Sequence, residues 1–142
     1  MILYIHIDIG IRAPLSVIEL FSSSIINSHF KNGFIYVNED EGIAGGIIIN
    51  SSNFLNNTSE YGTVFNVKKL NLETGTSIKV NSGVFINNTA SKFGGVIYSL
   101  GKYNNYHVEL NTCKFNNNQA KLGGVVYGYS ISSFPKISNI EQ

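Results

Sequence analysis

Branched apolar residues alternate with polar ones in short bursts along this chain, and the bursts recur at a fixed interval. Ile47 and Ile49 precede Asn50, Ile78 and Val80 precede Asn81, and Val108 and Leu110 precede Asn111. Apolar residues at every second position mark a strand with one buried face. Each burst then runs through Asn, a Ser or Thr and two variable residues to a Phe. The three copies are Asn50-Ser51-Ser52-Asn53-Phe54, Asn81-Ser82-Gly83-Val84-Phe85 and Asn111-Thr112-Cys113-Lys114-Phe115. Their leading asparagines lie 31 and 30 residues apart. A polar stretch follows each Phe, and a glycine then opens a new apolar strand. These openings are Gly62-Thr63-Val64-Phe65, Gly94-Gly95-Val96-Ile97 and Gly123-Gly124-Val125-Val126, and Gly45-Gly46-Ile47-Ile48 reads as an earlier member of the set. Glycine at such a place supplies a positive φ or a close backbone approach at a corner.

A fixed period in this range means stacked structural units. One period holds a glycine-led strand, an alternating strand and a short strand around Phe, with no helical stretch. Three short strands and three corners describe one coil of a parallel β-helix. The expected class is therefore all-β, a solenoid of about four to five coils in which stacking buries a continuous core. Equivalent residues then sit above one another at about 4.8 Å. Asn50, Asn81 and Asn111 are expected to form an inward Asn ladder, and Phe54, Phe85 and Phe115 an aromatic stack inside. The rival is an antiparallel sandwich of hairpins, which would not require a period at the level of sequence. Ile26-Asn27-Ser28-His29-Phe30 resembles the motif with one residue deleted, which predicts a shorter first coil.

Residues 1–142 read as a single domain, with the clearest repeats over 45–128. Alternation of Ile5, Ile7, Ile9 and Ile11 predicts an early half-buried strand. The pattern fades over 130–142, where Pro135 and Lys136 predict an irregular tail without pairing. No amphipathic capping helix is visible at either end, and the first residues lack the positive region of a signal peptide. Both features lead to the expectation of a fragment of a longer stack.

Composition narrows the function classes. Charged residues make up only 13% of the chain, the net charge is +1, and no basic run marks a nucleic-acid footprint. Lys68-Lys69 reads as a solvated turn. The one cysteine, Cys113, excludes an internal disulfide framework and reads as a buried thiol. No apolar run is long enough for a transmembrane segment. Asn and Ile each occur 19 times.

The repeats resemble those of the chlamydial polymorphic outer-membrane protein family, which pairs Gly-Gly-apolar-apolar with Phe-x-x-Asn. The second element stands here as Phe54-Leu55-Asn56-Asn57, Phe85-Ile86-Asn87-Asn88 and Phe115-Asn116-Asn117-Asn118. The resemblance covers about residues 45 to 128. It implies a right-handed parallel β-helix, a place at the cell surface or outside the cell, and an adhesive or structural role. It transfers no catalytic residues. The chain departs from it in Gly62-Thr63, where a double glycine is expected, and in having neither a signal peptide nor a membrane β-barrel domain.

Candidate chemistry is sparse. Glycoside hydrolysis needs paired carboxylates, and the one acidic cluster, Glu39-Asp40-Glu41, has neighbours that point apart and reads as a solvated turn. His6 and Asp8 share one face of the early strand and read as surface residues. His29 and His107 have no partner at ligand spacing, and Arg12, the single arginine, has none for a clamp. No catalytic, metal or cofactor site is therefore expected. Tyr98 and Tyr127 are equivalent positions one coil apart. With Tyr103, in the corner insertion Gly101-Lys102-Tyr103-Asn104-Asn105, they are candidates for carbohydrate contact. N-glycosylation acceptors stand at Asn50, Asn56, Asn57 and Asn87, with Asn50 expected to be unavailable in the ladder. The expected protein is a non-enzymatic surface or secreted β-helix that contacts surface carbohydrate or a protein of a host or neighbouring cell. The alternatives are a fragment of a pectin-lyase-like polysaccharide-processing enzyme without its catalytic coils, or a non-functional gene fragment.

Overall fold

The computed structural model describes residues 16–38, 45–69, 77–102 and 104–140. The early Ile5–Ile11 strand, His6, Asp8, Arg12, Glu39-Asp40-Glu41 and Tyr103 lie outside them. The first coil comprises β1 (Ser16–Phe21), β2 (Ser24–Ile26), β3 (His29–Phe30) and β4 (Ile35–Asn38). The second comprises β5 (Gly45–Asn50), β6 (Asn53–Leu55), β7 (Thr58–Tyr61) and β8 (Phe65–Lys69). The third comprises β9 (Ser77–Asn81), β10 (Val84–Ile86), β11 (Thr89–Phe93) and β12 (Ile97–Ser99). A single helical turn, α1 (Asn104–His107), leads into β13 (Val108–Asn111), β14 (Lys114–Asn116) and β15 (Val126–Gly128) of the fourth. A short 3-10 turn and β16 (Lys136–Ser138) follow.

Every strand pairs in parallel with its equivalent one coil away. Four ladders result: sheet A is β1-β5-β9-β13-β16, sheet B is β2-β6-β10-β14, sheet C is β3-β7-β11 and sheet D is β4-β8-β12-β15. Sheet C continues into the fourth coil through bridges from Thr89 to Gln119 and from Phe93 to Leu122. The chain is thus a parallel β-solenoid, and a sandwich of hairpins is excluded. Four strands per coil replace the three expected. The polar stretch after the Phe position is the extra strand: Ser59 and Ala90 face inward from it, as Phe30 does in the first coil.

Three further expectations are corrected. Gly45-Gly46 is not a member of the corner glycines: it starts β5 in sheet A, where Gly46 pairs with Ser77. The corner glycines Gly62, Gly94 and Gly123 have φ of 46°, 63° and 68° and lead into sheet D. The first coil is not shortened to match Asn27 with Asn50. Phe21 pairs with Asn50, and Ile25 with Phe54, so the coil is nearly full length. The tail is not unpaired either. Ile137 lies against Leu110 and extends sheet A, with Pro135 just outside the strand where its missing N–H removes nothing.

The inward face of sheet A is Ile47, Ile49, Ile78, Val80, Val108 and Leu110, all buried. Sheet D contributes Ile35, Phe65 and Ile97 from the other side. Phe54 and Phe85 are fully buried in sheet B, and their rings stack at 5.3 Å between centroids, 8° apart. Phe115 continues the column at 5.0 Å and 10°. Phe34 and Phe30 close its other end with tilted rings at 5.8 Å and 5.6 Å.

Candidate functional site

Besides the glycine corner, two corners of each coil are made by non-glycine residues in the left-handed region. Ser22, Ser51, Ser82, Thr112 and Asn139 form one column after sheet A, with φ between 47° and 55°. Asn27, Asn56, Asn87 and Asn117 form the other after sheet B, with φ between 52° and 56°. Asn tolerates this conformation because its short amide bonds locally. It explains why Asn recurs two residues after the Phe position. The next residue is then the inward one.

That next residue carries the interior ladder. Asn57 and Asn88 are fully buried. Asn57 Nδ2 donates to Asn88 Oδ1 at 3.0 Å, and Asn88 Nδ2 to Asn118 Oδ1 at 3.0 Å. The same amides donate to the carbonyls of Ile25, Phe54 and Phe85 at 3.0, 2.9 and 2.9 Å. Backbone N–H groups of Ser28, Asn57 and Asn88 donate to the ladder's Oδ1 atoms in turn. The ladder expected at Asn50, Asn81 and Asn111 lies on the outside instead. Asn81 Nδ2 donates to Asn50 Oδ1 at 2.9 Å in an exposed setting, and Asn111 Oδ1 accepts from Ser138 Oγ and Asn139 Nδ2. The inward series ends at Val80 and its equivalents, so the next residue, Asn81, must point out. Asn50 is accordingly half-buried, whereas Asn57 is the enclosed acceptor site. Asn81→Ala is expected to cost under about 1 kcal/mol, as for an exposed hydrogen bond, on urea unfolding.

The outward row of sheet D gathers the tyrosines. Tyr36, Asn66, Tyr98 and Tyr127 follow one another in register across β4, β8, β12 and β15. Tyr98 and Tyr127 stack at 5.7 Å and 17°. Tyr61 and Phe93, at the ends of β7 and β11, lean onto the same row. Tyr61 lies 5.1 Å from Tyr98, and Phe93 lies 4.7 Å from Tyr127. The sequence places neither residue in the row, because both enter from the unexpected fourth strand. The rings of Tyr61, Phe93, Tyr98 and Tyr127 form a continuous half-buried strip along the stacking axis. Burial pushes the Tyr98 phenol above its ordinary range, and neighbouring Tyr61 and Tyr127 add to the shift.

Lysines border the strip. Lys92 Nζ sits 4.9 Å from the Tyr61 ring centre, donates to its hydroxyl at 3.1 Å and pairs with Glu60 at 2.7 Å. That hydrogen bond, and then the Lys92 charge, hold the Glu60 carboxyl below its ordinary range. Lys68 lies 5.6 Å from the Tyr36 ring centre, at an exposed strand end rather than in a turn. In the insertion after Gly101, buried Asn104 donates to Ser99 Oγ at 2.6 Å.

Other chemistry-bearing residues are engaged structurally. His29 Nδ1 bonds Thr58 Oγ1 at 2.8 Å. Cys113 is a buried cysteine whose Sγ lies 3.4 Å from the Asn111 carbonyl, in the interior column of Ser52. Among the described residues, no three His, Cys, Asp or Glu side chains converge on a metal position. Among the described residues, no helix is long and apolar enough to cross a membrane.

A family model described as the Chlamydia polymorphic membrane protein (Chlamydia_PMP) repeat matches residues 82–100. That span starts at the left-handed Ser82, contains the Phe85-Ile86-Asn87-Asn88 corner and Gly94-Gly95-Val96-Ile97, and ends just past β12. Neither a curated protein nor a solved structure matches the chain.

Proposed function

We propose that a chain built on this polymorphic-membrane-protein-type repeat acts by contact, as a cell-surface or secreted adhesive or structural element, and not as an enzyme. The observation that supports the reading is the regularity of its outside. The first three coils repeat the same four strands in register and the fourth continues three of them, so the solenoid presents continuous columns to a partner, the aromatic strip among them. Solenoids bind through such extended surfaces. The partner is surface carbohydrate or a protein of a host or neighbouring cell, met through Tyr98 and Tyr127. Beside the strip, Lys92 and Glu60 are paired with each other.

The test is adhesion of beads coated with the chain to candidate host and neighbouring cells. Retention well above that of albumin-coated beads, lowered by Tyr98→Ala with Tyr127→Ala, is the expected result. Retention at the albumin level sinks the adhesive reading. Release of reducing ends or unsaturated sugars from polysaccharides by the purified chain sinks the non-enzymatic one.

A further inference from the structure

Asn66 stands out in the strip because it is fully buried and neither its Oδ1 nor its Nδ2 has a hydrogen-bond partner. A buried amide without partners is costly, on the order of 1–3 kcal/mol. Nothing in the fold requires an amide there: the equivalent positions in the other coils hold Tyr36, Tyr98 and Tyr127. One donor and one acceptor therefore lie on the floor of a row of aromatic rings. Aromatic faces receive the apolar face of a pyranose ring, and an amide pairs with its hydroxyls. Among the described residues Tyr36 makes no ring–ring contact, and its ring faces the exposed Lys68 ammonium. Because Asn66 is fully buried, a ligand reaches it only when a side chain beside it moves aside.

Charge selects the kind of sugar. One border of the strip runs along sheet C through Lys31, Glu60, Lys92 and Lys121, and the other carries Lys68 and Lys69 at the end of β8. Among the described residues of these borders, Glu60 is the one acidic group against five lysines. We infer that the outer face of sheet D binds an acidic polysaccharide laid along the stacking axis, with Asn66 as the polar floor of one saccharide subsite. The inference rests on the adhesive reading of the strip and adds the ligand class and the residue that recognises it.

The test compares binding of the whole chain to heparin, polygalacturonate and neutral dextran, with the wild type, Asn66→Leu, Tyr127→Ala and a Lys31→Gln, Lys121→Gln double variant. Wild type binding to one of the acidic polymers and not to dextran is expected. Asn66→Leu keeps or raises the thermal midpoint, because it replaces an unpaired amide with an apolar group of similar size. It weakens binding by about tenfold, the loss of one good polar contact. Tyr127→Ala weakens it too, and the double variant weakens binding at low salt and flattens its dependence on salt. Equal binding to dextran overturns the inference, as does no binding to either acidic polymer. So does binding that the lysine changes abolish while Asn66→Leu and Tyr127→Ala leave it intact, which is plain charge attraction. Bead adhesion that survives enzymatic removal of acidic glycans from the cells overturns this inference alone. Absence of bead adhesion overturns the adhesive reading beneath it.

Discussion

Asn88→Ala is expected to destabilise the solenoid by about 3–5 kcal/mol, several times the effect of Asn81→Ala. The two residues have the same chemistry and recur with nearly the same period, so the difference isolates burial. Asn88 Oδ1 accepts from the backbone N–H of Asn57 and from Asn57 Nδ2, and Asn88 Nδ2 donates to the Phe54 carbonyl and to Asn118 Oδ1. Alanine leaves the buried Asn57 N–H without its acceptor and removes one partner each from Asn57 Nδ2, the Phe54 carbonyl and Asn118 Oδ1. The orphaned N–H costs about 1–3 kcal/mol and each further lost bond about 1 kcal/mol, moderated where the corner relaxes toward solvent near half-buried Asn118. Asn81, in contrast, has water as an immediate substitute for Asn50. Urea unfolding of both variants gives the comparison. Equal and small losses would mean that the interior amides contribute no more than the exterior ones. Asn88→Leu does not rescue, because it supplies volume without restoring any of the four bonds.

The position of this ladder shows how far the sequence carries. The Phe column, the alternating sheet A strands and the stacking itself follow from period and alternation, which are properties of single residues repeated in register. The inward or outward direction of an asparagine is not such a property. It depends on whether a left-handed residue intervenes. Asn50 follows the alternating burst directly and continues its parity outward. Asn57 follows Asn56, whose φ of 56° turns the corner and resets the parity. The available signal was the doubled Asn after Phe, since one Asn suits the corner and the second needs a different reason. The aromatic strip was half legible. Tyr98 and Tyr127 share a place after the corner glycines and are seen at once. Tyr61 and Phe93 are polar-stretch neighbours whose side chains reach sheet D only because that stretch is itself a strand. Asn66 hid for the opposite reason. Its residue type differs from its row, and only the register Tyr36–Asn66–Tyr98 exposes the substitution.

Phe85→Ala is the other change with a large expected effect, about 3–5 kcal/mol, as for a fully buried aromatic. The ring is sandwiched in its column, with Phe54 on one side and Phe115 on the other. Truncation therefore removes two stacked contacts and leaves a void between rings that cannot approach, because the strand spacing is set by the backbone ladder at about 4.8 Å. Gly83 shows how tightly the site is filled. A Cβ there would stand 2.8 Å from Phe85 Cε2, although Ser52 and Cys113 occupy the same column in adjacent coils. Phe115 is half-buried and has a ring on one side among the described residues, so Phe115→Ala is expected to cost clearly less. The order matters more than either value. In a solenoid each coil touches only its neighbours, so stability is close to a sum of coil and interface terms. Phe85 serves two interfaces and Phe115 serves one. A denaturant series in which Phe85→Ala and Phe115→Ala shift the midpoint equally would show that the column does not act through its interfaces. A negligible shift for Phe85→Ala would remove the stack from the core altogether.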